Sequence, residues 1–143
     1  MKVRNVRVQK MTETVARLCR EANYFLPGDV VRALKRAQKN EESLLGKLTL
    51  QQILDNARLA EEEGIALCQD CGTAVVFLEI GQDVHFTGGD LYAAVHEGVR
   101  QGYEHGYLRK SVSTRPYSVR TNTLDNTPAV IHTDIVGGDK VKI

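Results

Sequence analysis

Along residues 11–64 apolar side chains recur with a helical period, and beyond Gly64 the pattern changes to short runs rich in β-branched residues. The segment "MTETVARLCREANYFLP", from Met11, puts Val15, Leu18, Cys19 and Ala22 on one stripe. Thr12 is suited to N-cap this helix, and Pro27 lies beyond its stop. A second helix is predicted in "GDVVRALKRAQKNEES", capped by Asp29, with Val30, Val31, Leu34 and Ala37 on one face. A third opens at Thr49, carries Leu50, Ile53, Leu54, Ala57 and Ala60, and stops at Gly64, the residue type expected just past a helix end. The acidic run Glu61–Glu63 reads as a solvated face of this helix.

"TAVVFLEIG" then reads as a strand closed by Gly81, and "DVHFTGG" alternates before breaking at Gly88 and Gly89. "DLYAAVHEGVRQGYEHGYLRK" returns to a helical period, with Asp90 as N-cap and Leu91, Ala94, Val95, Gly98 and Val99 along one side. Gly98 and Gly102 inside it point to close packing or a weak helix. "PAVIHTDIVGGDKVKI" reads as two strands around a Gly137-Gly138-Asp139 turn. Helices first, then a mixed strand and helix region with a small sheet, predict an α+β fold, with residues 1–143 forming a single domain.

Composition narrows the classes. Apolar content of 42% and charged content of 26% argue against disorder, and the chain is long enough to bury a core. A net charge of +1 gives no electrostatic reason to expect nucleic acid or an anionic membrane as partner. No apolar run approaches the roughly 20 residues that span a bilayer, and "MKVRNVRVQK" lacks the apolar core of a secretory signal. These features point to the cytoplasm.

Chemistry concentrates in "IALCQDCGTAVVF", where Cys68 and Cys71 frame Gln69 and Asp70. An odd total of 3 cysteines makes a disulfide framework improbable, and Cys19 reads as a buried small hydrophobe within a helix. A redox dithiol needs its first cysteine at a helix N-terminus, whereas this pair precedes a strand. A zinc site needs four ligands, and His85, His96, His105 and His132 do not pair at ligand spacing. An iron–sulfur ligand is the third reading, with its partner thiolates outside this stretch. Asp70 also suits a plain turn. "DNTPA" reads as a turn into a strand, with Pro128 at the first strand position and no catalytic role. Arg115 and Arg120, around Pro116, read as solvated.

"LCQDCGTAVVF", "LRKSV" and "RTNTLDNTPAVIHTDIVGGDKVKI" together resemble the iron–sulfur fumarate hydratase and tartrate dehydratase family, in particular the α-subunit or N-terminal catalytic region of its class I members. The helical start fits the same family, so the resemblance covers nearly the whole chain. It implies reversible hydration of fumarate to L-malate, or the tartrate reaction, with a 4Fe-4S cluster as Lewis acid. It further implies Cys68 as the first of three cluster cysteines, Gln69 and Asp70 at the substrate, Asp70 in proton transfer, and Arg109 on a substrate carboxylate. Many family members carry Thr where this chain has Cys71, so Cys71 is read as a neighbour of the cluster and not a ligand. Family α-subunits continue past "GGDKVKI" and hold the other two cysteines there. The chain is therefore expected to be one part of a larger subunit, inactive alone, with a β-subunit or C-terminal domain as partner, a small dicarboxylate as substrate and an oligomeric assembly. The competing expectation is a non-catalytic interaction module that keeps the fold.

Overall fold

The structure is a computed structural model and describes residues 3–143. Strand β1 (Arg4–Arg7) runs directly into helix α1 (Val8–Tyr24); α2 (Gly28–Asn40) and α3 (Leu44–Glu63) follow. Then come β2 (Val75–Gly81), β3 (Val84–Thr87), α4 (Leu91–His105), the two-residue strands β4 (Ser113–Thr114) and β5 (Thr121–Asn122), β6 (Val130–Val136) and β7 (Val141–Lys142). The architecture is α+β, as the patterning predicts. Among the described residues, no helix is long and apolar enough to cross a membrane.

The core forms where α1 and α4 lie against each other and against one face of β2. Val15, Val95 and Val99 are wholly enclosed, with Met11, Tyr103, Val76, Leu78 and Ile80 around them. Burying each such aliphatic side chain stabilises the fold by about 1.5–3 kcal/mol. The approach of the two helices is set by glycine. A Cβ on Gly98 would stand 2.7 Å from the Thr12 carbonyl oxygen, and one on Gly102 would stand 2.7 Å from the Cys19 Cβ. The pairing of Gly98 with Thr12 and Val15, then Gly102 with Ala16 and Cys19, means the helices run in the same direction. β1 and β3, which launch them, pair in parallel from Arg4–Val84 to Arg7–Thr87.

Three helix starts differ from the expected ones, each for a tertiary or local reason. Thr12 does not cap α1, because β1 leads into the helix four residues earlier in the chain. Its hydroxyl instead donates to the Ala94 carbonyl (2.9 Å) inside the α1–α4 contact. Pro27 occupies the N-cap of α2, and Asp29 sits in the first turn, where its charge complements the helix dipole. α3 begins at Leu44, since the Ser43 hydroxyl accepts the Gly46 N–H (3.3 Å), and Thr49 lies within the helix. α2 packs on α3, yet Val30 on its expected apolar face is exposed and none of its residues is fully buried. The helix ends agree better: Gly64 terminates α3 in the left-handed region (φ 63°), and Asp90 caps α4 by accepting from Ala93 N–H (2.7 Å).

The last two strands lie on either side of the Gly137–Asp139 connection, as the pattern predicts. β6 and β7 do not pair with each other; β2 lies between them in the order β6-β2-β7. β6 runs parallel to β2 from Val75–Val130 to Gly81–Val136, and β7 runs antiparallel at Glu79–Lys142 and Ile80–Val141. The Gly137–Asp139 connection passes around the end of β2, where Gly81 N–H donates to Lys140 O (2.7 Å) and Asp83 N–H to Gly138 O (2.9 Å). A seven-residue apolar strand with β-branched residues on both faces finds its partners by burial, and the short turn alone does not decide the pairing. Pro128 lies ahead of β6, which starts at Val130.

Candidate functional site

The segment joining α3 to β2, residues 65–74, is irregular yet firmly held. Leu67 N–H donates to Asn23 O at the end of α1 (2.8 Å), and the Asn56 amide of α3 donates to Leu67 O (2.9 Å). From α4, the Tyr103 hydroxyl donates to Cys71 O (3.0 Å). Burial pushes the Tyr103 hydroxyl up to about 12, and the nearby Cys19 and Cys71 thiols act the same way, so it stays a proton donor. Gly72 takes a left-handed backbone (φ 61°), turning the chain into β2.

Within this loop Cys68 is exposed, as are Gln69 and Asp70. Cys68 Sγ accepts the Asp70 N–H (3.5 Å) and lies 3.6 Å from Gln69 Oε1. Asp70 Oδ1 accepts from Gly72 N–H (3.4 Å), the contact of a turn residue, and also from the Ser111 hydroxyl (3.0 Å), a residue far along the chain. Cys71 points elsewhere. It is half-buried, its Sγ lies 3.7 Å from Cys68 O, and it accepts the Arg109 backbone N–H (3.3 Å).

The second segment, 107–112, follows α4 and is anchored by buried Leu108. Arg109 is exposed, and its guanidinium makes no ion pair among the described residues. The structure thus brings Arg109 and Ser111 to the loop that carries Cys68, Gln69 and Asp70. Arg115 and Arg120 stay exposed on the excursion between β4 and β5.

Three contributors to this site escaped the sequence reading: Tyr103, Ser111 and Asn126. Tyr103 carried a signal, being an aromatic with a polar tip on the α4 stripe. Asn126 lay inside "DNTPA", where asparagine suits a turn; its φ of 61° fits that reading, but nothing local announced its burial.

The donor set bears on a metal centre. Cys68 presents an accessible sulfur at a loop, the situation of a usable ligand. Cys19 lies on α1 with its thiol pushed up to about 11 by burial, which keeps it protonated and a poor ligand. His96 Nδ1 accepts the Ala129 N–H (3.3 Å), and His132 stacks on Phe77 (5.0 Å between centroids). Among the described residues no group of three or more Cys, His, Asp or Glu side chains is placed to hold a metal ion. Among the described residues, Cys68 is the exposed thiol open to a metal centre, and no cage is completed around it. A cavity of about 400 Å³ lies beside the loop, lined by Cys19, Cys71, Tyr103, Val75 and Phe77; Cys68, Gln69 and Asp70 are outside its lining.

Comparison with known proteins gives a consistent result. The family model described as "Fumarate hydratase (Fumerase)" matches residues 12–143. A putative L(+)-tartrate dehydratase subunit alpha of Methanocaldococcus jannaschii is 38% identical over 125 residues, covering 85% of this chain and 44% of that protein. L(+)-tartrate dehydratase subunit alpha of Escherichia coli (strain K12) is 28% identical over 138 residues, covering 95% of this chain and 45% of that protein. The chain thus spans a little under half the length of these curated relatives.

Proposed function

The chain belongs to the fumarate hydratase (Fumerase) family, and from that premise we propose that it forms part of a cytoplasmic hydro-lyase acting on a four-carbon dicarboxylate. The observation that carries this reading is the meeting of the Cys68-Gln69-Asp70 loop with the Arg109–Ser111 segment, through Ser111 on Asp70 and Cys71 on the Arg109 backbone. In the forward direction a proton and hydroxide add across the double bond of fumarate to give L-malate. The tartrate reaction runs in the opposite sense, losing water from a hydroxy diacid, and the relatives' names favour it as the second reading.

The roles follow from side-chain chemistry. The Arg109 guanidinium is free to grip a substrate carboxylate through two parallel hydrogen bonds. Gln69, exposed on the same loop as Cys68 and Asp70, offers an amide donor. Asp70, held by the Ser111 hydroxyl, is oriented to take or give a proton. Cys68 would be one of three thiolates holding a 4Fe-4S cluster, the other two coming from polypeptide beyond this chain. When bound, such a group supplies Lewis-acid polarisation that makes hydroxide a better leaving group. The relatives are named as alpha subunits, which supports a β-subunit or C-terminal domain as partner. An unpartnered apolar sheet face around Phe77 supports an assembly larger than this chain.

The test is anaerobic loading of the complete enzyme with iron and sulfide, followed by turnover of fumarate, L-malate and L(+)-tartrate. Cys68→Ser is expected to abolish cluster absorbance and activity, while Cys71→Ser keeps the absorbance. Equal loss in both variants, or no turnover of any of the three diacids, overturns the assignment.

A further inference from the structure

Asn126 is 0% exposed and polar. A buried amide is tolerated where its hydrogen-bonding groups are met. Here its Oδ1 accepts from Ser111 N–H (2.6 Å) and Val112 N–H (3.0 Å), and its Nδ2 donates to Gly72 O (3.1 Å). Those three bonds reach two separate segments. One immediately follows Cys68–Cys71; the other begins two residues after Arg109.

We infer that Asn126 is a positioning residue that fixes the register of the 109–112 segment against the 68–72 loop, and so sets Arg109 and Asp70 relative to one another. The inference rests on the proposed roles of those two residues, while the clamp can be measured without any turnover. Asn126 touches neither residue. It acts through Ser111, whose hydroxyl reaches Asp70 (3.0 Å), and through Gly72, two residues beyond Asp70.

The base of the clamp is itself tied down. The preceding residue, Asp125, binds Arg100 of α4 (2.9 Å) and accepts from Thr127 N–H (2.9 Å). The side chain of Asn126 therefore projects from a backbone anchored to a core helix. An amide suits the place because it offers an acceptor to two N–H groups and a donor to one carbonyl at once. An aspartate keeps the acceptor and loses the donor. An alanine leaves the Ser111 and Val112 N–H groups unpaired and the Gly72 carbonyl with only the Tyr103 hydroxyl (3.4 Å).

This predicts a graded outcome in the assembled enzyme, read by amide hydrogen exchange. Asn126→Asp is expected to speed exchange about tenfold in the 68–73 region alone, the effect of one lost hydrogen bond. Asn126→Ala is expected to speed it in both 68–73 and 109–112, with α1 and α4 unchanged. With a turning-over enzyme, both variants raise KM for the diacid about tenfold per loaded cluster, because the carboxylate grip and the Asp70 loop no longer share one register. Unchanged exchange in both regions overturns the inference, as does an unchanged KM. Loss of protection extending into α1 and α4 also overturns it, since Asn126 would then serve the fold as a whole. If the parent enzyme converts no diacid, the proposed function fails and exchange alone decides the clamp.

Discussion

The three cysteines occupy three different environments. Cys68 is exposed at the loop surface, Cys71 is half-buried with its sulfur receiving a backbone N–H, and Cys19 lies in the α1 packing surface. Desolvation holds the Cys19 thiol near 11, so it contributes almost no thiolate at neutral pH. Alkylation of the cluster-free protein at pH 8, followed by mass spectrometry, should label Cys68 first and Cys19 last. Labelling of Cys19 before Cys68 would contradict the packing. Asp125 supplies a pH signature. Burial alone raises its carboxyl, but the Thr127 N–H and hydroxyl and the Arg100 guanidinium outweigh that and hold it at about 2, against an ordinary 3.8. A carboxyl lowered on folding stabilises the fold above its unfolded value and loses that contribution as pH falls through the folded one. The urea midpoint should therefore decline between about pH 5 and pH 2. The decline should be smaller in Asp125→Asn. With 43% and 30% of the Arg100 and Asp125 side chains open to water, the difference should stay below about 1 kcal/mol.

Among the elements, α1 and α4 depend on the absence of two side chains. Gly102→Ala would press a methyl against the Cys19 Cβ and the Ala16 carbonyl, and Gly98→Ala would press one against Val15 and the Thr12 carbonyl. Each substitution should destabilise the protein by about 1–3 kcal/mol, the range for an overfilled core, despite alanine's higher helix propensity. Calorimetric melting checks this; an unchanged or raised Tm would refute the close contact. The glycines on the Leu91–His105 stripe were legible because their spacing matched the helical period. So were the α3 stop at Gly64 and the Asp90 cap, where a local residue does the work. Thr12 was misread because its hydroxyl serves a helix distant in sequence. The two strands around Gly137-Gly138-Asp139 were legible too, but not their separation by β2, because the turn looks the same whichever strands pair. The site followed the same division. Its chemical side chains stood in a recognisable motif, whereas Ser111 and Asn126 act across 41 and 54 residues of chain and left no local trace.

At the scale of the molecule, the sheet is covered on one side only. Val76, Leu78 and Ile80 face the helices, while Val75, Phe77, Val130 and His132 occupy the other face, with Phe77 65% exposed. The chain by itself should therefore associate at high concentration, and light scattering should show Phe77→Asp reducing that association; a monomer at all concentrations would exclude it. The loop bearing Cys68 hangs from both core helices at once, from α1 through Asn23 O and from α4 through the Tyr103 hydroxyl. Any parting of α1 from α4 must therefore pull on this loop from two sides, since each helix holds one of its ends. Melting of the helix pair is consequently expected to unseat the loop with it.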